Sequence, residues 1–147
     1  YVLKNIRELV DEAEKYDVNV AVEGVHAFVI NSPQRLARLI NDIDSDNMKA
    51  IFDPVNYITA KNYEDQDKMI TEMFELVGKK IVAIHAKDFV IEDGKVKMVL
   101  PGEGMLNYKL IFDLLKKKGM DIPIISESIP HENAKKGLDN IEKIMEG

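Results

Sequence analysis

The chain has 147 residues, 46% of them hydrophobic and 31% charged, a balance typical of a single globular domain over residues 1–147. Its net charge of −6 disfavours a general affinity for nucleic acid, and no apolar run approaches the roughly 18 residues of a membrane span, so neither partner is expected. The absence of cysteine excludes disulfides, thiolate-zinc sites and a cysteine nucleophile, and it is consistent with a reducing, cytoplasmic location.

The first part of the chain predicts a helix, a strand and a second helix. Residues 1–16 carry apolar side chains at helical spacing, and the valine-rich residues 18–22 predict a strand that ends at Glu23. Ser32 before Pro33 is typical of a helix start, because a serine N-cap accepts a hydrogen bond from the first turn and proline is tolerated at the first helical position.

A second strand and a third helix follow. Residues 48–52 predict a buried strand that ends at Asp53, because Pro54 cannot donate a hydrogen bond to a ladder. We expect Asn62 to cap the next helix and Gly78 to end it.

The rest of the chain predicts two more strand-helix units, with a hairpin inserted in the first of them. Residues 81–84 predict the third strand, which leads into His85, and Asp93-Gly94 between two apolar runs is a strong hairpin signal. The elements that follow are a helix, a strand and a helix, predicted at 107–119, at 122–125 and beyond Pro130. Strands that alternate with helices indicate parallel βαβ crossovers, so the predicted fold class is α/β.

Each of the four predicted strands ends near a side chain that can bind a metal ion: Glu23, Asp53, His85 and Glu127. The C-terminal ends of parallel strands lie on the same face of the sheet, so these side chains are expected to meet. Three carboxylates and one imidazole suit Mn²⁺, Mg²⁺ or Co²⁺ better than a structural zinc. Such an ion can acidify the C–H between the carbonyl and hydroxyl oxygens of a substrate, while two of the carboxylates carry protons.

Five short motifs share this arrangement: AVEG, FDPVN, IHAKD, PGEG and SES. In this order on successive strand ends, they resemble the sugar-phosphate isomerase/epimerase family, a group of xylose-isomerase-like TIM barrels. The resemblance covers nearly the whole chain but only the last four strands of an eight-stranded barrel. It implies the C-terminal half of a (β/α)8 barrel, with four parallel strands, flanking helices and a β-hairpin after the third strand. It also implies a divalent-metal-dependent sugar or sugar-phosphate isomerase or epimerase that works through a cis-enediolate.

The resemblance also assigns roles to residues. The family's four metal ligands correspond to Glu23, Asp53, His85 and Glu127, of which the two glutamates would also transfer protons. Asn56 stands where ketose epimerases carry a substrate-binding histidine, and Ile91 stands where they carry an arginine, so a close copy of their specificity is not expected. Asn56, Lys87 and His26 are predicted to contact the carbohydrate substrate; an ion pair with Asp88 or Glu103 is the alternative for Lys87.

The chain begins within a predicted helix and without an initiator methionine, so we expect a fragment. An isolated half barrel leaves two open strand edges, and the missing half is therefore expected from the intact protein or from self-association. A non-catalytic metal- or sugar-binding module is one alternative function. An apurinic-type metal-dependent endonuclease is a weaker one, because it needs a histidine-rich three-metal cluster and a basic face, whereas this chain has three histidines. A plain doubly wound domain with a dinucleotide role is disfavoured, because no glycine-rich phosphate loop follows the first strand.

Overall fold

A computed structural model of the chain describes residues 1–146 and shows a parallel four-stranded sheet with helices packed against it. The strands of this sheet are β1 (Val20–Glu23), β2 (Met48–Phe52), β3 (Ile81–Ala86) and β6 (Ile124–Ser126), in the order β1-β2-β3-β6. Every neighbouring pair is parallel. Between β3 and β6, the strands β4 (Asp88–Glu92) and β5 (Lys95–Val99) form the predicted antiparallel hairpin. The α/β fold class predicted from the sequence is confirmed.

Five helices accompany the sheet: α1 (Val2–Glu14), α2 (Pro33–Ile43), α3 (Gln66–Leu76), α4 (Tyr108–Lys118) and α5 (Ala134–Glu146). The predicted caps of two of them are confirmed. The Ser32 side chain accepts a hydrogen bond from the Arg35 amide at 3.3 Å, and the Asn107 side chain accepts one from the Leu110 amide at 3.1 Å. Gly119 ends α4 in the left-handed conformation, at φ +61°, which glycine adopts without strain. Among the described residues, no helix has the length and apolar character needed to cross a membrane.

The prediction that Asn62 caps α3 is wrong. A short 3-10 turn, Tyr63–Asp65, comes first, and α3 begins at Gln66. The Asn62 side chain instead folds back on the preceding loop, where it accepts from the Thr59 amide at 2.6 Å and donates to the Tyr57 carbonyl at 3.0 Å. Asn62 therefore stabilises the loop after β2 rather than the start of the helix.

Three strands also differ in their bounds from those predicted. Strand β1 starts at Val20 rather than at residue 18, and the Val18 carbonyl accepts a hydrogen bond from the Asn47 side chain instead of from a ladder. Strand β6 starts at Ile124 rather than at residue 122, because Pro123 has no amide hydrogen to contribute. Strand β3 extends further than predicted and includes His85.

The hydrophobic core lies between the sheet and the helices. Its largest side chains with almost no exposed surface are Leu36, Ile43, Met48, Phe52, Ile70, Met73, Phe74, Ile84, Phe89 and Ile111. Phe52, the last residue of β2, packs edge-on against Phe74, with 5.9 Å between the ring centroids. Because Phe52 is fixed in this way, the residue that follows it, Asp53, has a defined position at the end of the strand.

Candidate metal centre

The four predicted metal ligands meet at the C-terminal edge of the sheet: Glu23, Asp53, His85 and Glu127. Each belongs to the end of a different strand, and each offers one ligand atom. These four atoms all lie within 4.8 Å of one another. Two ligands on opposite sides of an ion, with bonds of about 2.1 Å, are about 4.2 Å apart, so a small contraction of the cluster suffices to coordinate one ion.

His85 lies between the two glutamates. Its Nδ1 atom is 2.9 Å from Glu23 Oε1 and 2.7 Å from Glu127 Oε2. Glu23 Oε1 also accepts a hydrogen bond from the Asn56 side-chain amide at 3.1 Å, and the Asn56 backbone amide donates to Asp53 Oδ1 at 3.2 Å. Asn56 therefore links the carboxylates of the first two strands, which sequence reasoning did not predict.

Lys87 contacts the same Glu127 oxygen atom as His85 does. Its Nζ atom is 2.7 Å from Asp53 Oδ2, 3.1 Å from Glu127 Oε2 and 3.4 Å from Asn56 Oδ1. The residue is 8% exposed, so the ammonium is largely shielded from solvent. The contacts thus form a continuous series in which basic side chains alternate with carboxylates: Glu23, His85, Glu127, Lys87 and Asp53.

The alternative partners considered for Lys87 are wrong. Glu103 pairs with Lys136 at 2.6 Å. Asp88 is 1% exposed and accepts four backbone N–H groups, those of Phe89, Gly102, Gly104 and Leu106. Its carboxylate therefore anchors the PGEG loop to the start of β4. The sequence holds a signal for this contact in the two glycines of the motif, since a side chain at position 104 would overlap the Asp88 carboxylate.

The oxygen atoms of the cluster fit a cation. Asp53 Oδ2 and Glu127 Oε2 are both buried, and neither has a hydrogen bond of regular geometry within the described part of the chain. Each is instead within ion-pairing distance of Lys87. Buried acceptors without a well-directed donor are rare, because the desolvation of the oxygen is then uncompensated. A divalent ion would satisfy both atoms at once.

Burial changes the protonation of these groups. It raises the pKa of Glu23, against the opposing effect of His85, and the charge of Asp53 adds to the rise. Burial likewise raises the pKa of Asp53, although the Lys87 ammonium, 2.7 Å away, opposes it. For Lys87, burial lowers the pKa, but the bonds to Asp53 and Glu127 outweigh it and the pKa is raised. Burial therefore disfavours the ionised form of both carboxyl groups, and a bound cation would favour it.

His26 and Asn56, two of the predicted substrate contacts, belong to adjoining loops. The His26 backbone amide donates to the Asn56 carbonyl at 2.8 Å, and His26 Nδ1 lies 3.1 Å from the same oxygen. The loops that follow β1 and β2 are thereby joined next to Glu23. Their contact with a substrate stays a prediction.

Two further residues lie near the cluster. Tyr57 is 3% exposed, and its hydroxyl lies so close to Gly24 that a Cβ there would overlap it. Ser128, directly after Glu127, has φ +61°, a left-handed conformation that costs energy for any residue with a side chain. The glycine in AVEG is a signal for the first contact, whereas no sequence pattern indicates the second.

Comparison with known proteins identifies the family to which the chain belongs. The family model described as xylose isomerase-like TIM barrel matches residues 1–144. The chain belongs to the xylose isomerase-like TIM barrel family. The family predicted from the sequence motifs is confirmed.

Relatives of the chain are about twice its length. Uncharacterized protein MJ1311 of Methanocaldococcus jannaschii is 28% identical over 145 residues, which cover 96% of this chain and 47% of the relative. A crystal structure of a D-tagatose 3-epimerase-like protein is 24% identical, with a TM-score of 0.75 over 98% of this chain and 53% of that one. A crystal structure of the IOLI protein with a zinc atom is 22% identical, with a TM-score of 0.74 over 97% and 52%. The four-stranded sheet described above is therefore half of a TIM barrel, as predicted.

Proposed function

We propose that this chain contributes the metal-binding half of a divalent-metal-dependent sugar or sugar-phosphate isomerase or epimerase. The observation that supports this function best is the convergence of one ligand from each strand end, with all four ligand atoms within 4.8 Å. The similarity of the fold to a D-tagatose 3-epimerase-like protein supports sugar chemistry, and the zinc atom in the IOLI protein structure supports the binding of a metal ion.

The residues that would hold the ion are Glu23, Asp53, His85 and Glu127. The oxygen-rich set favours Mn²⁺, Mg²⁺ or Co²⁺. When bound, such an ion would supply positive charge that acidifies a C–H group next to a sugar carbonyl.

Glu23 and Glu127 are the proposed proton carriers. Both contact the His85 Nδ1 atom, at 2.9 Å and 2.7 Å, and they come from the first and last strands of the sheet. A sugar carbon bound between the two carboxylates would have one near each face. One carboxylate would remove the proton from the carbon between the carbonyl and hydroxyl groups, which gives the cis-enediolate. The other would return a proton from the opposite face.

The proposed substrate contacts are Asn56, His26 and Lys87. The Lys87 ammonium has three oxygen neighbours, and the one at 3.4 Å, Asn56 Oδ1, is the longest contact. A sugar oxygen could replace the Asn56 amide there without breaking the ion pairs with Asp53 and Glu127. The amide of Asn56 would then be free to contact a neighbouring hydroxyl group.

The other half of the barrel is part of the proposal. Within the described residues, β1 pairs only with β2 and β6 pairs only with β3, so each has one edge without a partner. Ile125, in the middle of β6, is 45% exposed. We propose that the N-terminal half of the intact protein covers these strands, or that a second copy does, because open edges favour aggregation.

The experiment that tests the function measures proton exchange in the full-length protein. The protein would be incubated in ²H₂O with Mn²⁺ or Co²⁺ and a panel of ketoses, hydroxypyruvate and inosose, and deuterium at the carbon next to the carbonyl would be read by NMR. Exchange that needs both the metal and Glu127 supports the isomerase or epimerase. Metal binding without exchange on any of these compounds would support a non-catalytic metal- or sugar-binding module instead.

A further inference from the structure

Lys87 is a fifth polar side chain in contact with the metal cluster, and the proton-transfer steps above do not use its charge. Its Nζ atom contacts Asp53 Oδ2 at 2.7 Å and Glu127 Oε2 at 3.1 Å, so it binds two of the three carboxylates that would hold the ion. These two contacts involve the two buried carboxylate oxygen atoms that have no regular hydrogen bond in the described part of the chain. The ammonium therefore acts on the oxygens that would coordinate the metal.

The backbone of Lys87 is fixed on both sides, which determines where its side chain can reach. The Lys87 carbonyl accepts a hydrogen bond from the Tyr108 hydroxyl at 2.6 Å, and Tyr108 is itself buried. The next residue, Asp88, is held by four backbone N–H groups. With its main chain fixed and its side chain largely shielded from solvent, Lys87 is a permanent part of the cluster.

The charges in the cluster then determine which ion it matches. Three ionised carboxylates and one ammonium give a net charge of −2, which one divalent cation cancels. Without the ammonium the net charge is −3, which matches a trivalent cation instead. In a partly buried site, where a net charge is poorly solvated, this difference is energetically large.

We propose that Lys87 is the internal counter-charge that sets the valence of the ion held by the cluster, so that the site is electrically neutral with a divalent ion. This inference rests on the metal site of the proposed function but not on isomerase activity. Lys87 is accordingly a positioning residue for the ion and its carboxylates. Its contact with substrate, if formed, uses only the N–H group that faces Asn56.

The test compares the affinities of the full-length protein for Mn²⁺ and for Tb³⁺ at one fixed pH. Mn²⁺ binding would be measured by calorimetry and Tb³⁺ binding by its luminescence, for the wild type and for Lys87→Met. Removal of a positive charge close to the ion acts on a trivalent ion more strongly than on a divalent one, by about tenfold for one extra unit of ion charge. We expect the ratio of Tb³⁺ to Mn²⁺ affinity to rise by about that factor in Lys87→Met.

Two controls separate charge from side-chain shape. Lys87→Arg keeps the charge, so its affinity ratio should stay close to that of the wild type. Lys109→Met removes an exposed ammonium that pairs with Asp113 on α4, and it should change neither affinity. Lys87→Gln repeats the test with a neutral side chain that can still donate to Asp53, in case the methionine variant does not fold.

The outcomes that test the role of Lys87 differ from those that test the proposed isomerase or epimerase activity. An unchanged affinity ratio in a folded neutral variant, or a change towards Mn²⁺, would overturn the role of Lys87. A rise of the ratio in Lys87→Arg as large as that in the neutral variant would also overturn it, because the effect would then not depend on charge. A wild-type protein that binds Mn²⁺ but exchanges no substrate proton would contradict the proposed catalysis and leave the inference on Lys87 intact. Absence of Mn²⁺ binding by the wild type would overturn both.

Discussion

Gly24 faces the hydroxyl of Tyr57 so closely that a Cβ atom on residue 24 would overlap it. The Tyr57 side chain thus packs against the end of β1, next to the metal-site residue Glu23. We expect Gly24→Ala to destabilise the protein by about 1–3 kcal/mol, as other overpacked core substitutions do. Because the strand end must shift, Mn²⁺ affinity should fall as well. Urea denaturation and calorimetry measure the two effects.

Tyr57→Phe is the matched control for this contact. The Tyr57 hydroxyl is buried without a hydrogen-bond partner in the described residues, so its removal should cost little stability or increase it. In combination with Gly24→Ala it should restore part of the lost stability, because the overlapping oxygen is gone. Strictly additive effects of the two substitutions would show that they do not contact each other.

The roles of His85 and Glu127 can be separated by substitution. Glu127→Gln keeps an oxygen ligand but cannot carry a proton, so it should abolish proton exchange while Mn²⁺ still binds. His85→Ala removes the only nitrogen ligand of the cluster and should weaken Mn²⁺ binding by a larger factor, about 10- to 100-fold. Calorimetry gives the affinities and NMR the exchange. The reverse order of the two affinities would contradict the role of Glu127 as a proton carrier.

His131→Ala controls for the general loss of a histidine. His131 lies in the exposed 3-10 turn before α5, outside the four-residue cluster. Both affinity and exchange should match those of the wild type. A loss comparable to that of His85→Ala would show that the measurement reports a change of fold rather than of ligands.

Asp88 should determine the conformation of the PGEG loop. Its buried carboxylate accepts four backbone N–H groups, and Asp88→Asn replaces one of its oxygens with a donor that faces them. We expect a loss of about 2–4 kcal/mol in unfolding free energy, because charged hydrogen bonds are lost and amides are left unpaired. Hydrogen exchange should accelerate at the amides of Gly102, Gly104 and Leu106.

Asp113→Asn is the comparison for Asp88→Asn. Asp113 is an exposed aspartate on α4 that pairs with Lys109 at 2.8 Å. Exposed pairs of this kind contribute about 0–1 kcal/mol, so stability should hardly change. Equal losses in the two variants would contradict the anchoring role of Asp88.

Glu23 should make the stability of the protein depend on pH when a chelator is present. Its pKa is raised in the folded chain by burial, so the folded state binds this proton more tightly than the unfolded state. The stability that this gives is complete below the ordinary carboxyl pKa, about 4, and is lost as the pH rises through the raised value. Glu23→Gln imitates the neutral carboxyl group. It should therefore be more stable than the wild type at pH 7, by about 1 kcal/mol, and equal to it at low pH.

This difference is measured by urea denaturation at a series of pH values. Titration of groups that do not interact with Glu23 cancels when the two proteins are compared at each pH. Added Mn²⁺ should reverse the order at neutral pH, because it binds the wild-type carboxylate more tightly. A wild type that is more stable than Glu23→Gln at pH 7 without the ion would contradict the raised pKa.

The strand ends could be predicted from the sequence because local patterns determine them. Strand β2 has the predicted bounds, since an apolar run stops at Asp53 before a proline. The hairpin was predicted from Asp93-Gly94, and both residues have positive φ, at +50° and +69°, as the tight turn requires. Once four strands are parallel, their ends share a face, and the proximity of the candidate ligands follows.

The contacts that support the cluster could not be predicted in this way. Lys87 pairs with Asp53 across two strands, and a lysine after a strand shows no periodicity that would reveal such a partner. Asn62 resembles a helix cap in sequence, but its side chain finds nearer acceptors and donors in its own loop. Long-range polar contacts depend on side-chain geometry after folding, which composition and spacing do not specify.

The spread of the ligands over the whole sheet has a consequence for assembly. Glu23 comes from the first strand of the sheet and Glu127 follows the last, so only a piece that includes residues 23–127 contains the full set. An ion bound there would hold all four strand-helix units together at one point. Local opening of any unit would remove a ligand and weaken the hold on the ion. Metal release, followed with a chromogenic chelator, would therefore report the first local opening of the sheet during unfolding, in whichever of the four units that opening occurs.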